Sequence, residues 1–186
     1  MAKVCDCFPE LKALTEAREA RYRAQPDASA PQGPQSFVEV KVTSIGQLND
    51  LVDCKKSGHK FLISEPVHVG GQCVAPTPLE FMLAGAVGCY AAVFAFYAAK
   101  MGVAYDSFEA VARTYFDVRG HMIEDAPSSA FQKVTIAMRI VSDAPEAALK
   151  EVERLATAGC PGLNTLRDPV PVTTELAVIR TREAAA

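Results

Sequence analysis

TPLEFMLAGAVGCYAAVFAFYAA, residues 77–99, is the stretch on which the reading of this chain turns. It opens as a helix: Thr77 can cap backbone N–H groups, Pro78 suits the first helical position, and Glu80 three residues after the cap completes a capping box. From Phe81 to Ala99 there is no charged side chain. That length approaches the ~20 residues that cross a bilayer. Seven of the residues are Ala and two are Gly, so the hydrophobic drive is modest, and no basic cluster flanks the run to set an orientation. A helix apolar on all sides is equally what the centre of a globular domain or dimer requires, and a buried central helix with no membrane partner is the reading taken. Gly85 and Gly88 allow a neighbouring backbone to approach, or a break before Cys89. A restart at Gly88 would set Cys89 near a helix N-terminus, which lowers a thiol pKa; in an unbroken buried helix the pKa rises.

Outward from this helix the pattern alternates. Phe37 to Thr43 reads as a half-buried strand and Lys60 to Ser64 as another, with Gly70-Gly71 marking a tight connection towards Pro76. Beyond the helix, Ala110 to Arg119 sets Ala112, Thr114, Phe116 and Val118 opposite Arg113, Tyr115, Asp117 and Arg119. Phe131 to Val141 puts Val134, Ile136, Met138 and Ile140 on one face, and the two segments are expected to pair as a hairpin. Asp143-Ala144-Pro145-Glu146 repeats the logic of a cap followed by an acid. The helix it opens carries an apolar stripe of Ala148, Leu149, Val152, Leu155 and Ala156, ends at Gly159, and is barred from continuing by Pro161. Val170 to Arg180 supplies a last strand, at an edge because Pro171 cannot donate to a ladder. The order is α+β. Ahead of it, Pro9 to Arg23 forms a polar helix with Leu11, Leu14 and Tyr22 as contacts and a Glu19–Arg23 ion pair, followed by a linker from Ala24 to Gln35. Residues 1–35 are thus an appendage to a domain spanning 36–186.

A chain of 186 residues, 49% hydrophobic, suits one core. Its net charge of -3 and pI near 5.6 lack the basic excess that nucleic acid needs. The N-terminus shows no secretory pattern, so the expected setting is cytoplasmic. Six cysteines in a reducing compartment are free, catalytic or metal-binding before they are a disulfide framework. No ligand spacing points to a metal: Cys5-x-Cys7 has no second close pair, and His59, His68 and His121 are far apart. Cys54 and Cys73 fall in expected loops with no motif. Cys89 and Cys160 differ from the rest. One lies in the middle of the buried helix and the other just past a helix end, where the dipole disfavours a thiolate, which suits a resolving thiol better than an attacking one. Glu80 is better explained as a cap than as a catalytic carboxylate.

Glu65-Pro66, Gly70-Gly71, Ala75-Pro76-Thr77-Pro78-Leu79-Glu80, Gly88-Cys89 and Cys160-Pro161, in this order of elements, resemble the OsmC/Ohr superfamily from about Phe37 to Ile179. The resemblance implies an OsmC-like fold in which antiparallel sheets enclose long central helices of an intertwined homodimer, with active sites at the interface. It also implies a stress-response peroxidase. Carried onto this chain, Cys89 attacks an organic hydroperoxide and becomes a sulfenic acid, Cys160 resolves it as a disulfide, and a dithiol reductant, lipoyl-type in some members, restores the thiols. No cofactor is called for. Two positions depart from the hydroperoxide-resistance branch: Leu79 stands where that branch has an acid, and no arginine occurs between Arg23 and Arg113 to activate the thiol. Lys41, Lys60, His59 and His68 are the substitutes to weigh, although a lysine does not reproduce a guanidinium fork.

Three functions therefore stay open at this point. The first is the peroxidase. The second is a cysteine-nucleophile enzyme acting on a carbonyl, thioester or other electrophile, with His59, His68 or Glu80 beside the thiol. The third is a noncatalytic ligand-binding dimer in which Cys89 is a small core residue. Phe81 and Phe94, with Met82, Phe96 and Tyr97, line a substrate pocket or simply pack the core.

Overall fold

In the computed structural model of the protein, residues 3–24 and 36–179 are described. The expected linker therefore lies, apart from Ala24, outside the described residues.

The central helix, α2, runs unbroken from Pro78 to Met101. Its capping box forms as the sequence implies: the Thr77 hydroxyl accepts from the Glu80 N–H at 3.2 Å, and the Thr77 N–H donates to the Glu80 carboxylate at 2.7 Å. Gly102, with φ 69°, closes it in the left-handed conformation that glycine adopts without a Cβ clash. No break occurs at Gly88. Within one chain, however, α2 is buried on one side only, along Ala86, Tyr90, Phe94 and Ala98, an i, i+4 stripe, together with Ala99. Leu79, Met82, Gly85, Gly88 and Ala92 stay exposed. The expectation of a helix enclosed on all sides does not hold for the single chain.

Against the buried stripe pack α1 (Phe8–Arg23), α3 (Glu146–Gly159) and α4 (Pro161–Arg167). α1 is more than an appendage, because Phe8 is 7% exposed and its ring meets Tyr105 edge-on at 5.2 Å. Leu11 packs at the core margin, whereas Leu14 and Tyr22 remain exposed. The Glu19–Arg23 pair forms, and Glu19 also holds Lys100 of α2. α3 keeps the expected stripe, with Val152 and Ala156 fully buried. Its start departs from expectation: no side chain caps it, and Ser142 rather than Asp143 takes up a local N–H, that of Ala144.

Two separate sheets complete the fold. β1 (Val40–Gly46), β2 (Asn49–Cys54) and β3 (Lys60–Ser64) form an antiparallel meander. β2 was invisible in the sequence, and Cys54 lies at its end rather than in a loop. The β1–β2 turn places Gln47 and Leu48 at φ 51° and 56°, a primed turn without the Asn-Gly signature that announces one. β1 is exposed along its whole length instead of half-buried, since nothing among the described residues lies beneath it. β4 (Ser107–Tyr115) and β5 (Lys133–Val141) form the expected hairpin in the register Phe108 to Ile140 and Ala112 to Ile136. β4 sits closer to α2 than anticipated and stops at Tyr115, because Asp117 caps a 3-10 turn at Val118–His121 through the Arg119 N–H. The C-terminal segment departs most. Residues 168–179 form no strand, and Val172, Leu176, Val178 and Ile179 are exposed; Arg180 lies outside the described residues.

Candidate functional site: two facing thiols

Cys89 sits at the middle of α2 and Cys160 at the junction of α3 and α4, and the fold brings their side chains against each other. Three features produce the convergence. α3 ends at Gly159, Cys160 takes the extended conformation at φ -80° and ψ 114°, and Pro161 starts a new helix instead of ending structure altogether. Proline fits there because the first helical N–H needs no partner. The first turn of α4 then lies on α2: a Cβ added at Gly162 would fall 3.1 Å from the Cα of Ala86 and 3.1 Å from the Cβ of Cys89. Glycine fits this approach without a shift, whereas any Cβ would be tighter than an ordinary contact.

The electrostatics of Cys160 follow from that placement. The residue is 0% exposed, and burial pushes its thiol above the ordinary value. The backbone N–H groups of Leu163 and Gly162, at the N-terminal end of α4, act in the opposite direction, while Cys89 raises it further. The expected setting, a helix C-terminus alone, is therefore incomplete: Cys160 lies between the end of one helix and the start of another. The result is still a thiol that holds its proton. Cys89 is half-buried and more accessible. Beside them Tyr90, 2% exposed, points its hydroxyl at Thr157 Oγ1, 3.4 Å away, and burial raises its pKa. Gly162, Leu163 and Tyr90 carried no sequence signal of their own; the Cys-Pro-Gly run was the only hint of the second helix.

The other candidates are placed elsewhere. Glu80 stands about two and a half helical turns before Cys89, on the opposite side of α2 at 3.6 residues per turn. Its carboxylate is engaged by Thr77, whose backbone N–H holds its pKa down. Lys41 on β1, His59 between β2 and β3, and His68 in the connection to α2 are exposed, and none makes a side-chain hydrogen bond or ion pair among the described residues. Phe81 stacks on Phe61 of β3 at 4.6 Å and fastens the meander to α2. Phe94 is 0% exposed and sits among Tyr90, Tyr105 and Phe108, so its ring is core packing and is closed to a substrate. The buried Asn49 and Ser64 and the exposed Gln72 form a chain of hydrogen bonds that ties the connection before α2 to the sheet. Of the remaining cysteines, Cys5 packs at the core margin while Cys7 and Cys73 are exposed.

The family model described as OsmC-like protein matches residues 70–175, which contain both thiols. Among solved structures, an OsmC like protein from Mycoplasma pneumoniae is similar with a TM-score of 0.62 at 14% identity, over 72% of this chain and 89% of that one. An OsmC-like protein of unknown function from Vibrio cholerae has a TM-score of 0.59 at 19% identity, over 70% and 94%. An organic hydroperoxide resistance protein OsmC from Legionella pneumophila has a TM-score of 0.53 at 18% identity, over 72% and 91%. At such identities the likeness speaks for the fold. No curated protein matches the chain.

Proposed function

Since the chain belongs to the OsmC-like protein family, we propose that it is a thiol-dependent peroxidase that reduces organic hydroperoxides with Cys89 and Cys160. The observation that carries this reading is the facing of an accessible thiol and a buried, protonated one. In the first step the Cys89 thiolate attacks the terminal peroxide oxygen; the O–O bond breaks, Cys89 becomes a sulfenic acid, and the alkoxide takes a proton and leaves as an alcohol. In the second, the Cys160 sulfur attacks the Cys89 sulfur, its proton leaves with the hydroxyl as water, and a disulfide forms. A dithiol then exchanges with the disulfide, is itself oxidised, and returns both thiols. Burial of Cys160 beside Cys89 ensures that the sulfenic acid meets a thiol before a second peroxide.

The working unit in this reading is a homodimer in a reducing, cytoplasmic setting. Support comes from three unpartnered surfaces on one chain: the exposed side of α2, both faces of β1, and the apolar segment 170–179. A Cβ at Gly85 or Gly88 would meet nothing within 4 Å, which leaves room for a second backbone close to Cys89. That second chain would supply the remaining wall of the substrate pocket and a cation for the thiolate, which no described side chain of the same chain is seen to provide.

Titration of the reduced protein with cumene hydroperoxide, followed by mass spectrometry, tests the chemistry. The expected product is a Cys89–Cys160 disulfide with one equivalent of alcohol released. Thiols that survive excess peroxide unchanged would overturn the proposal, and a stable adduct on Cys89 with thioesters would point to the electrophile-directed enzyme.

A further inference from the structure

The open cleft between α1 and α2 lies apart from the thiols: its volume is about 830 Å³, and neither Cys89 nor Cys160 lines it. That volume falls within the roughly 300–1,000 Å³ of small-molecule sites. One of its walls belongs to α1, which lies ahead of the residues matched to the family.

Its chemistry is two-sided. Val93, Phe96 and Tyr97 of α2 form an apolar floor. Along the rim stand Arg18, Arg23 and Lys100 with a single acid, Glu19. Glu19 pairs with Arg23 at 2.6 Å and with Lys100, so one carboxylate is shared by two cations. Three positive groups against one negative leave an excess of two positive charges in a chain whose net charge is -3. Arg18 lies beside Tyr22 and draws that phenol below its ordinary pKa, as a locally positive potential requires. Low-dielectric walls focus such a field and favour an anion over a neutral molecule. An inorganic anion would leave the aromatic floor unused, and a neutral hydrocarbon would leave the positive excess at the rim without a counter-charge.

We propose that this cleft is a second, noncatalytic binding site for an organic carboxylate with an apolar body, its headgroup at Arg18 and its body along Phe96 and Tyr97. A medium-chain fatty acid is the simplest member of that class. Gly159 and Pro161, the residues on either side of Cys160, also line the cleft, and a Cβ at Gly159 would lie 2.9 Å from the Tyr97 hydroxyl, so a side chain there would have to displace Tyr97.

Isothermal calorimetry on the reduced full-length protein, with sodium decanoate below its micelle concentration and no peroxide, tests the site without reference to catalysis. One decanoate is expected to bind per chain, with acetate and decyltrimethylammonium at least about tenfold weaker. Arg18→Glu is expected to weaken decanoate about tenfold or more and Arg18→Gln to a lesser degree, since a charge-assisted hydrogen bond is lost. Arg18 is exposed, so both variants should keep the melting temperature of the parent. No saturable binding at millimolar decanoate, equal binding of the cationic analogue, or an affinity unchanged by both Arg18 substitutions would overturn the assignment.

Discussion

Cys160 ionises reluctantly because it is buried, and the consequence is measurable. Its folded pKa lies above the ordinary 9.0, so the folded state holds the proton more tightly than the unfolded chain. The resulting stabilisation is complete below the unfolded value and is lost as pH rises through 9.0 towards the folded value. Urea midpoints of the reduced protein should therefore fall more steeply above pH 9.0 for the parent than for Cys160→Ala. Brief iodoacetamide treatment at neutral pH should label Cys89 ahead of Cys160, and equal labelling of both would contradict the burial. In the peroxidase reading, Cys160→Ser leaves one turnover of alcohol formation but strands Cys89 as a sulfenic acid trappable by dimedone, whereas Cys89→Ser abolishes turnover. Both thiols were legible in the sequence from their contrasting surroundings. Their approach to each other was expected from the family resemblance and not from any local pattern, because residues so far apart in the chain meet only through packing. The candidates drawn from residue type alone fared less well: Glu80 is taken up by its cap, and Phe94 by the core.

The helices divide the work of holding the site. α2 was readable to its first residue because its cap is local chemistry, Thr77 and Glu80 satisfying each other's backbone donors. Thr77→Ala should cost about 1 kcal/mol in a denaturation curve and leave thiol reactivity untouched. α4 was missed because Pro161 both ends a helix and begins one, and only the extended Cys160 between them tells which applies. Its close approach to α2 gives a sharper test. Gly162→Ala puts a methyl 3.1 Å from both Ala86 and Cys89, so the contact between α4 and α2 beside the two thiols must open by a few tenths of an ångström. Disulfide formation after a peroxide pulse should slow severalfold, because reaction between two held groups weakens as they leave their aligned positions, while Cys89 alkylation stays near the parent rate. α1 looked like an appendage because its sequence is polar; Phe8 is its buried residue, with Leu11 at the core margin and Glu19 on Lys100 beside it. Phe8→Ala should cost roughly 3–5 kcal/mol, the usual range for emptying a buried aromatic site, and failure to destabilise would return α1 to a dispensable extension.

At the level of the complete protein, the open side of α2 and the uncovered β1 are the features a lone chain leaves unresolved. A second copy seated on Gly85 and Gly88 predicts a dimer in sedimentation equilibrium, and Gly88→Leu should shift it towards monomer with loss of peroxide turnover, because the substituent fills the space for the partner backbone. A monomeric, fully active parent would defeat that arrangement. The period of the apolar residues and the local caps were enough to place α2, α3, β3 and the β4–β5 hairpin, since each depends on neighbours a few positions away. They were not enough for β2, the end of β4, the junction at Cys160 or the unpaired segment 168–179. Those follow from what lies across the fold: whether a strand has a surface to rest on, whether a chain leaving one helix finds a glycine-sized gap against another. Burial is a property of the assembled surface, and a linear pattern can name the residues that need covering without saying what covers them.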